Sequence, residues 1–285
     1  MLITFAAAQQ FGAKQKKRKP LRVSVKVDWH RPAGLPEEIQ MTRKDVARVR
    51  RVVWDWIRKH PSENLKALMD LIRLNILIVP GMPHTKGREY GDYSPRRNTV
   101  TVSPVILSER TGRPIRQTKK SIETALSHEI EGHMLDYSLP LYFRRIKRLP
   151  KIRLDRFLEK HPKLKDLFAT VYEPLAVHDD CFTYEPKLLE TYKKEKKKIK
   201  PAFKRLFPGD WCYLSDIEEL GAFFAQFRAL SRTARRTRKP KLVEVNHQWN
   251  FLTPTPLDED ALVVVTSFPK TIKLIKRFQD AILDI

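Results

Sequence analysis

The chain has 285 residues, 41% of them hydrophobic, which is enough to bury a real core in one large domain or one domain with appendages. Its 56 Lys and Arg against 33 Asp and Glu give a net charge of +23, which favours a polyanionic neighbour and says nothing about fold. Its apolar runs fall well short of the roughly 20 residues that span a bilayer, and two distant cysteines, Cys181 and Cys212, make no disulfide framework and no C-x-x-C pair.

Residues 1–20 read as a basic arm. The apolar start, MLITFAAAQQFG, precedes the basic run KQKKRKP instead of following it, the reverse of a secretory signal. With the cysteine usage this points to a reducing setting: the cytoplasm, or packaging in a virus particle such as a phage. LRVSVKV (21–27) alternates apolar and polar residues as a strand does. Thr42 is placed to cap a helix running to about His60, with Val46, Val49, Val53, Trp54 and Ile57 along one side. Ser62 opens a second helix carrying Leu65, Leu68, Met69 and Ile72. ILIVPG (76–81) reads as a buried strand with a Pro-Gly stop. Residues 82–97 show little pattern and read as loop. NTVTVSPVIL (98–107) reads as a further strand. Thr118 to Ser138 is a strong helix pattern, with Ile122, Ala125, Leu126, Ile130, Met134 and Tyr137 at helical spacing.

Helices are expected from there to about residue 208, including the lysine-rich YKKEKKKIKPAFKR (192–205). Ser215 opens another, DIEELGAFFAQFRALSRTARR (216–236), whose acidic first turn and basic last turn suit the helix dipole. KLVEVN (241–246) reads as a short strand, and a strand-helix pair (261–283) closes the chain. The expected architecture is α+β: a small mixed or antiparallel sheet, a helix bearing the motif described next, and a mainly helical remainder. In domain terms this gives the arm 1–20, a main domain 21–250 with a helical insertion at about 140–208, and an extension 251–285.

The motif lies in SHEIEGHMLDY, Ser127 to Tyr137. His128 is followed by Glu129, but the next histidine, His133, comes five residues on, giving H-E-x-x-x-H. Side chains five apart on a straight α-helix point about 140° apart, so they cannot share a metal ion. One wide turn with an i→i+5 bond would realign them, and Gly132 tolerates the backbone adjustment. Glu129 and His133, four apart, share a face without any such turn and are a rival ligand pair. The string also arises by chance on polar helices.

LSHEIEGHMLDY resembles the active-site helix of the zincin superfamily of zinc peptidases. Its H-E-x-x-G-H form is similar to the dipeptidyl peptidase III family, and HMLD resembles the corresponding segment of the lethal-factor-like peptidases. The resemblance implies a zincin-like fold and a Zn2+ ion held by His128 and His133. It also implies Glu129 as the general base on a metal-activated water, and Asp136 orienting a ligand through a hydrogen bond. In the zincins an edge strand ahead of the helix aligns the substrate backbone, a place NTVTVS would take. The gluzincin branch draws its third ligand from a glutamate on a later helix, where this chain has Glu218, Glu219, Leu220, Gly221, Ala222. The dipeptidyl peptidase III pattern, E-E-x-x-A, puts the metal on the second of these, Glu219, with Glu218 as neighbour or substitute. A helix-dipole role fits the same pair. Lethal-factor-like enzymes carry a tyrosine shortly before that glutamate, and Tyr213 matches the place of an oxyanion donor, with Tyr172 second. HDDC (178–181) offers His178 as a substitute third ligand, or a polar helix end.

The implied activity is zinc-dependent hydrolysis of peptide bonds in a peptide or protein substrate. The basic runs at 14–19, 193–205 and 232–241 add nucleic acid or another polyanion as a partner. The competing expectation is a non-enzymatic, nucleic-acid-associated or virion structural protein on a degenerate zincin fold.

Overall fold

The computed structural model describes residues 21–82, 90–107, 113–135, 186–206, 211–237, 242–245, 248–251 and 264–283, with isolated helical positions between 156 and 162. The arm 1–20 and residues 136–155 and 163–185, and with them Asp136, Tyr172, His178 and Cys181, lie outside the described residues.

After strand β1 (Ser24–Val27), helix α1 (Arg43–Lys59) opens on a reciprocal cap: Asp45 N–H donates to Thr42 Oγ1, and Thr42 N–H donates to the Asp45 carboxylate. Val46, Val49, Val53 and Ile57 fill its buried face. Helix α2 (Glu63–Ile72) is capped by Ser62 and ends on Arg73 in the left-handed region at φ 53°, which turns the chain into strand β2 (Asn75–Ile78). Strands β3 (Gly91–Ser94) and β4 (Thr99–Val102) complete a four-stranded mixed sheet of order β1-β2-β4-β3. β1, β2 and β4 run parallel, and β3 pairs antiparallel with β4, Gly91 opposite Val102.

Three sequence expectations are corrected here. The stretch read as loop, 82–97, contains β3, which forms although GDYS has no β-branched residue, because pairing with β4 supplies what local propensity lacks. NTVTVSPVIL is two strands, broken at Ser103–Pro104, because proline cannot donate to a ladder: β4, and β5 (Val105–Leu107), which pairs with β6 (Pro114–Arg116) in a separate hairpin. β4 is thus interior, and β3 lies at one edge of the sheet. Near the C-terminus, residues 264–267 are a helical turn and not a strand.

Helix α3 (Lys119–Leu126) continues without a break into a π-helix (Ser127–Met134). Helices α4 (Pro186–Leu206), α5 (Trp211–Leu214) and α6 (Ile217–Thr237) follow, then a hairpin of β7 (Leu242–Val245) and β8 (Gln248–Phe251), and helix α7 (Pro269–Leu283). One core cluster joins α1, α2 and the sheet to Ile122, Leu126, Ile130 and Met134, and takes in Ile282 and Leu283 at the end of α7. A second, built on Tyr192, Phe203, Phe223, Phe224 and Phe268, joins α4, α6 and α7. The π-helix lies between them, and Ser127, Glu129, Ile130, Glu131 and Met134 are all buried.

Candidate metal centre

The late histidine of the motif is accommodated by the backbone. Wider than the roughly 3.6 residues of an α-helical turn, the π turn returns positions five apart to one face. The rings of His128 and His133 meet with centroids 4.9 Å apart, edge to face at 76°. Glu129 points elsewhere, to the edge strand: a Cβ added at Gly91 of β3 would lie 3.1 Å from Glu129 Cγ and 3.3 Å from Oε1. The paired face is therefore His128–His133, and the Glu129–His133 alternative is not the arrangement formed.

Glu219, in the first turn of α6, closes the third corner. Its Oε2 is 3.5 Å from His128 Nε2 and 3.4 Å from His133 Nε2. Among the described residues, these three form the group whose ligand atoms all lie within 4.8 Å of one another. The separations exceed the roughly 2.7–3.2 Å of a good hydrogen bond. They match the spacing of about 3.3 Å between ligands on a tetrahedral ion with bonds near 2.0 Å. Glu219 Oε2 is buried and makes no hydrogen bond. A buried carboxylate oxygen so placed suits a cation between it and the two imidazoles. Burial would push the Glu219 carboxyl up, but the imidazoles of His128 and His133 outweigh it and hold it well below the ordinary carboxylate range. The donor set fits a metal ion.

No family model, curated protein or solved structure matches this chain. The residues themselves carry the functional reading.

Gln226, two turns after Glu219 and fully buried, accepts from His128 Nδ1–H at 3.0 Å. That bond fixes the tautomer, leaving the Nε2 lone pair aimed at the cluster. Sequence reasoning did not assign Gln226, although a lone polar residue inside FFAQF, seven positions after Glu219, marks the same helix face. Gly132 permits the close crossing that brings α6 to the π-helix. A Cβ there would stand 2.3 Å from Ala222 Cα and 2.7 Å from Ala222 Cβ.

A buried charge network backs the centre. Glu131, 1% exposed, accepts from Arg228 Nη2 at 2.5 Å, from His60 Nε2 at 3.0 Å and from Ser127 Oγ at 3.3 Å. His60 Nδ1 accepts from Ser62 N–H at 3.1 Å, so its proton resides on Nε2. Arg228 also reaches Asp280 at 3.4 Å.

Tyr213, half exposed, packs edge to face on Phe223 at 5.6 Å, and Phe223 in turn meets the His128 ring at 5.4 Å. Glu218 lies on the same helical turn as Glu219. Cys212 is exposed and thiol-bearing. Among the described residues, no helix is long and apolar enough to cross a membrane.

Proposed function

We propose that the chain is a zinc-dependent peptidase of gluzincin type on a zincin-like fold, with His128, His133 and Glu219 as ligands and Glu129 as general base. The observation that carries it is the convergence of two imidazole nitrogens and a buried carboxylate oxygen, with the oxygen 3.4 and 3.5 Å from the two nitrogens. Two nitrogens and one oxygen suit zinc, and three protein ligands are the number that leaves a catalytic position open. A structural zinc site has no need of a general base, so a buried glutamate next in sequence to His128, its carboxylate turned toward the edge strand β3, favours catalysis over the non-enzymatic alternative.

When bound, the zinc would acidify a water and polarise the scissile carbonyl. Glu129 would serve as the proton carrier, accepting a proton from the attacking water and passing it to the leaving amine. Its carboxylate lies over Gly91 of β3, which has a described strand on one side only. An extended peptide adding to that edge passes the base, which is why a peptide is the substrate class favoured. Tyr213, linked to His128 through Phe223, is the donor proposed for the oxyanion.

The test uses the metal content of the purified chain and cleavage of fluorogenic casein. Wild type is expected to carry one equivalent of zinc, and His128→Ala and Glu219→Ala to lose it. Glu129→Gln is expected to keep the zinc and lose about 10²- to 10⁴-fold in rate. Normal cleavage by Glu129→Gln would sink the mechanism even with the metal in place.

A further inference from the structure

We propose that the outer face of α4, continued by α7, binds duplex nucleic acid through its phosphate backbone, without reading sequence. α4 is two-sided. Tyr192 and Phe203 bury one side in the second core cluster. The opposite side exposes Lys193, Lys194, Lys197, Lys198, Lys204 and Arg205.

Both acids of this helix are engaged: Glu190 stays on the exposed face but is paired with one of its lysines, and Glu195 is turned toward α7. Glu190 is tied to Lys194 at 2.6 Å. Glu195 caps the start of α7, accepting from Lys270 N–H at 3.0 Å, Thr271 N–H at 2.9 Å and Thr271 Oγ1 at 2.7 Å. This cap joins the two helices, and α7 adds Lys270, Lys273 and Arg277, exposed, on its own outer side. Lys200 and Lys204 lie over the Trp211 ring at 5.6 and 4.7 Å, which orders two of the ammonium groups.

Several partners carry negative charge, and the chemistry of the face chooses among them. Lysine is depleted at protein–protein interfaces, whereas flexible ammonium groups serve well as phosphate contacts. A bilayer would need apolar side chains to insert. Among the described residues the large exposed apolar ones are Trp29, Ile115 and Tyr213, none of them on α4 or α7. At about 1.5 Å per residue, α4 is roughly 31 Å long, close to one turn of a DNA duplex at about 34 Å. This surface is separate from the ligands on the π-helix and the first turn of α6.

The full chain is titrated against a fluorescein-labelled 30-base-pair duplex of arbitrary sequence, read by anisotropy from about 50 to 200 mM salt. Binding is expected to weaken steeply with salt, by about 0.9 in the log–log slope for each phosphate contacted. Lys193→Ala/Lys197→Ala/Lys204→Ala is expected to flatten that slope by about three and to weaken binding at least tenfold at low salt, with an unchanged thermal midpoint. A second duplex of unrelated sequence is expected to bind within about threefold. A triple variant that keeps the wild-type slope overturns the proposal. So does tighter binding to vesicles containing phosphatidylserine, or displacement of the duplex by polyglutamate at equal charge, which would assign the face to a membrane or to an acidic protein.

Discussion

Gln226 Oε1 accepts a hydrogen bond from His128 Nδ1–H at 3.0 Å, and on that contact depends which nitrogen faces Glu219. Without it the ring is free to rotate or to change tautomer, and either change withdraws the Nε2 lone pair. Gln226→Ala is therefore expected to loosen zinc by about 10- to 100-fold, measured by competition with a chromophoric chelator. Gln226→Glu keeps an acceptor in the same place and is expected to recover most of the affinity. Equal affinity in wild type and Gln226→Ala would remove this role. The three proposed ligands were legible in the sequence because their pattern is local: His128 and His133 sit in one short string, and Glu219 in an E-E pair ahead of an apolar run. Gln226 was missed because a helix position alone does not say which ring it will meet.

Among the elements, the π-helix is the one whose geometry everything near it must respect. It crosses α6 so closely that Gly132 has backbone, and not merely a side chain, where its Cβ would go. Gly132→Ala is expected to destabilise the chain by about 3 kcal/mol in urea unfolding. Trimming the opposite residue, in Gly132→Ala/Ala222→Gly, is expected to leave most of that loss, since the nearest atom is Ala222 Cα at 2.3 Å. The start of α1 gives a pH-dependent case. Burial would push Asp45 up, but its bonds to Thr42 and the Arg116 guanidinium outweigh that and hold it below the ordinary aspartate value. A lowered value in the folded state means that the charged form stabilises. This contribution is full above the unfolded value of about 3.9 and is lost as pH falls through the folded one. Wild type is expected to exceed Asp45→Asn by about 1 kcal/mol at pH 7, with the margin shrinking below about pH 4. Elements with a strong local signal, such as α1 with its cap and α2, were legible. β3 was not, because it exists through its partner, and the break between β4 and β5 turned on a proline inside an otherwise convincing run.

At the scale of the whole molecule, Glu131 joins parts of the chain that no local pattern connects. His60 comes from the end of α1, Glu131 from the π-helix, Arg228 from α6 and Asp280 from α7, and Glu131 and Arg228 are 97 residues apart in sequence. Such a pairing leaves no periodicity or motif to read, which is why it went unseen while the core faces of the same helices were plain. The network also sits directly behind the centre: Glu131 lies between the two histidines, and Arg228 two residues beyond Gln226. Its charges are matched, Glu131 with Arg228 and Asp280 with Arg228 and Lys276. Removing one member of a buried pair strands the other, a loss of about 3–5 kcal/mol, whereas removing both can be nearly neutral. Arg228→Met is accordingly expected to destabilise the metal-free chain by about that amount. Glu131→Gln/Arg228→Met is expected to be more stable than Arg228→Met alone, because the amide that replaces the carboxylate still accepts from His60 but no longer holds a buried charge. A double-mutant cycle in urea reads the coupling directly. If the double variant loses the sum of the two single losses, Glu131 and Arg228 act separately, and the π-helix is held against α6 by apolar packing and the Gly132–Ala222 crossing alone.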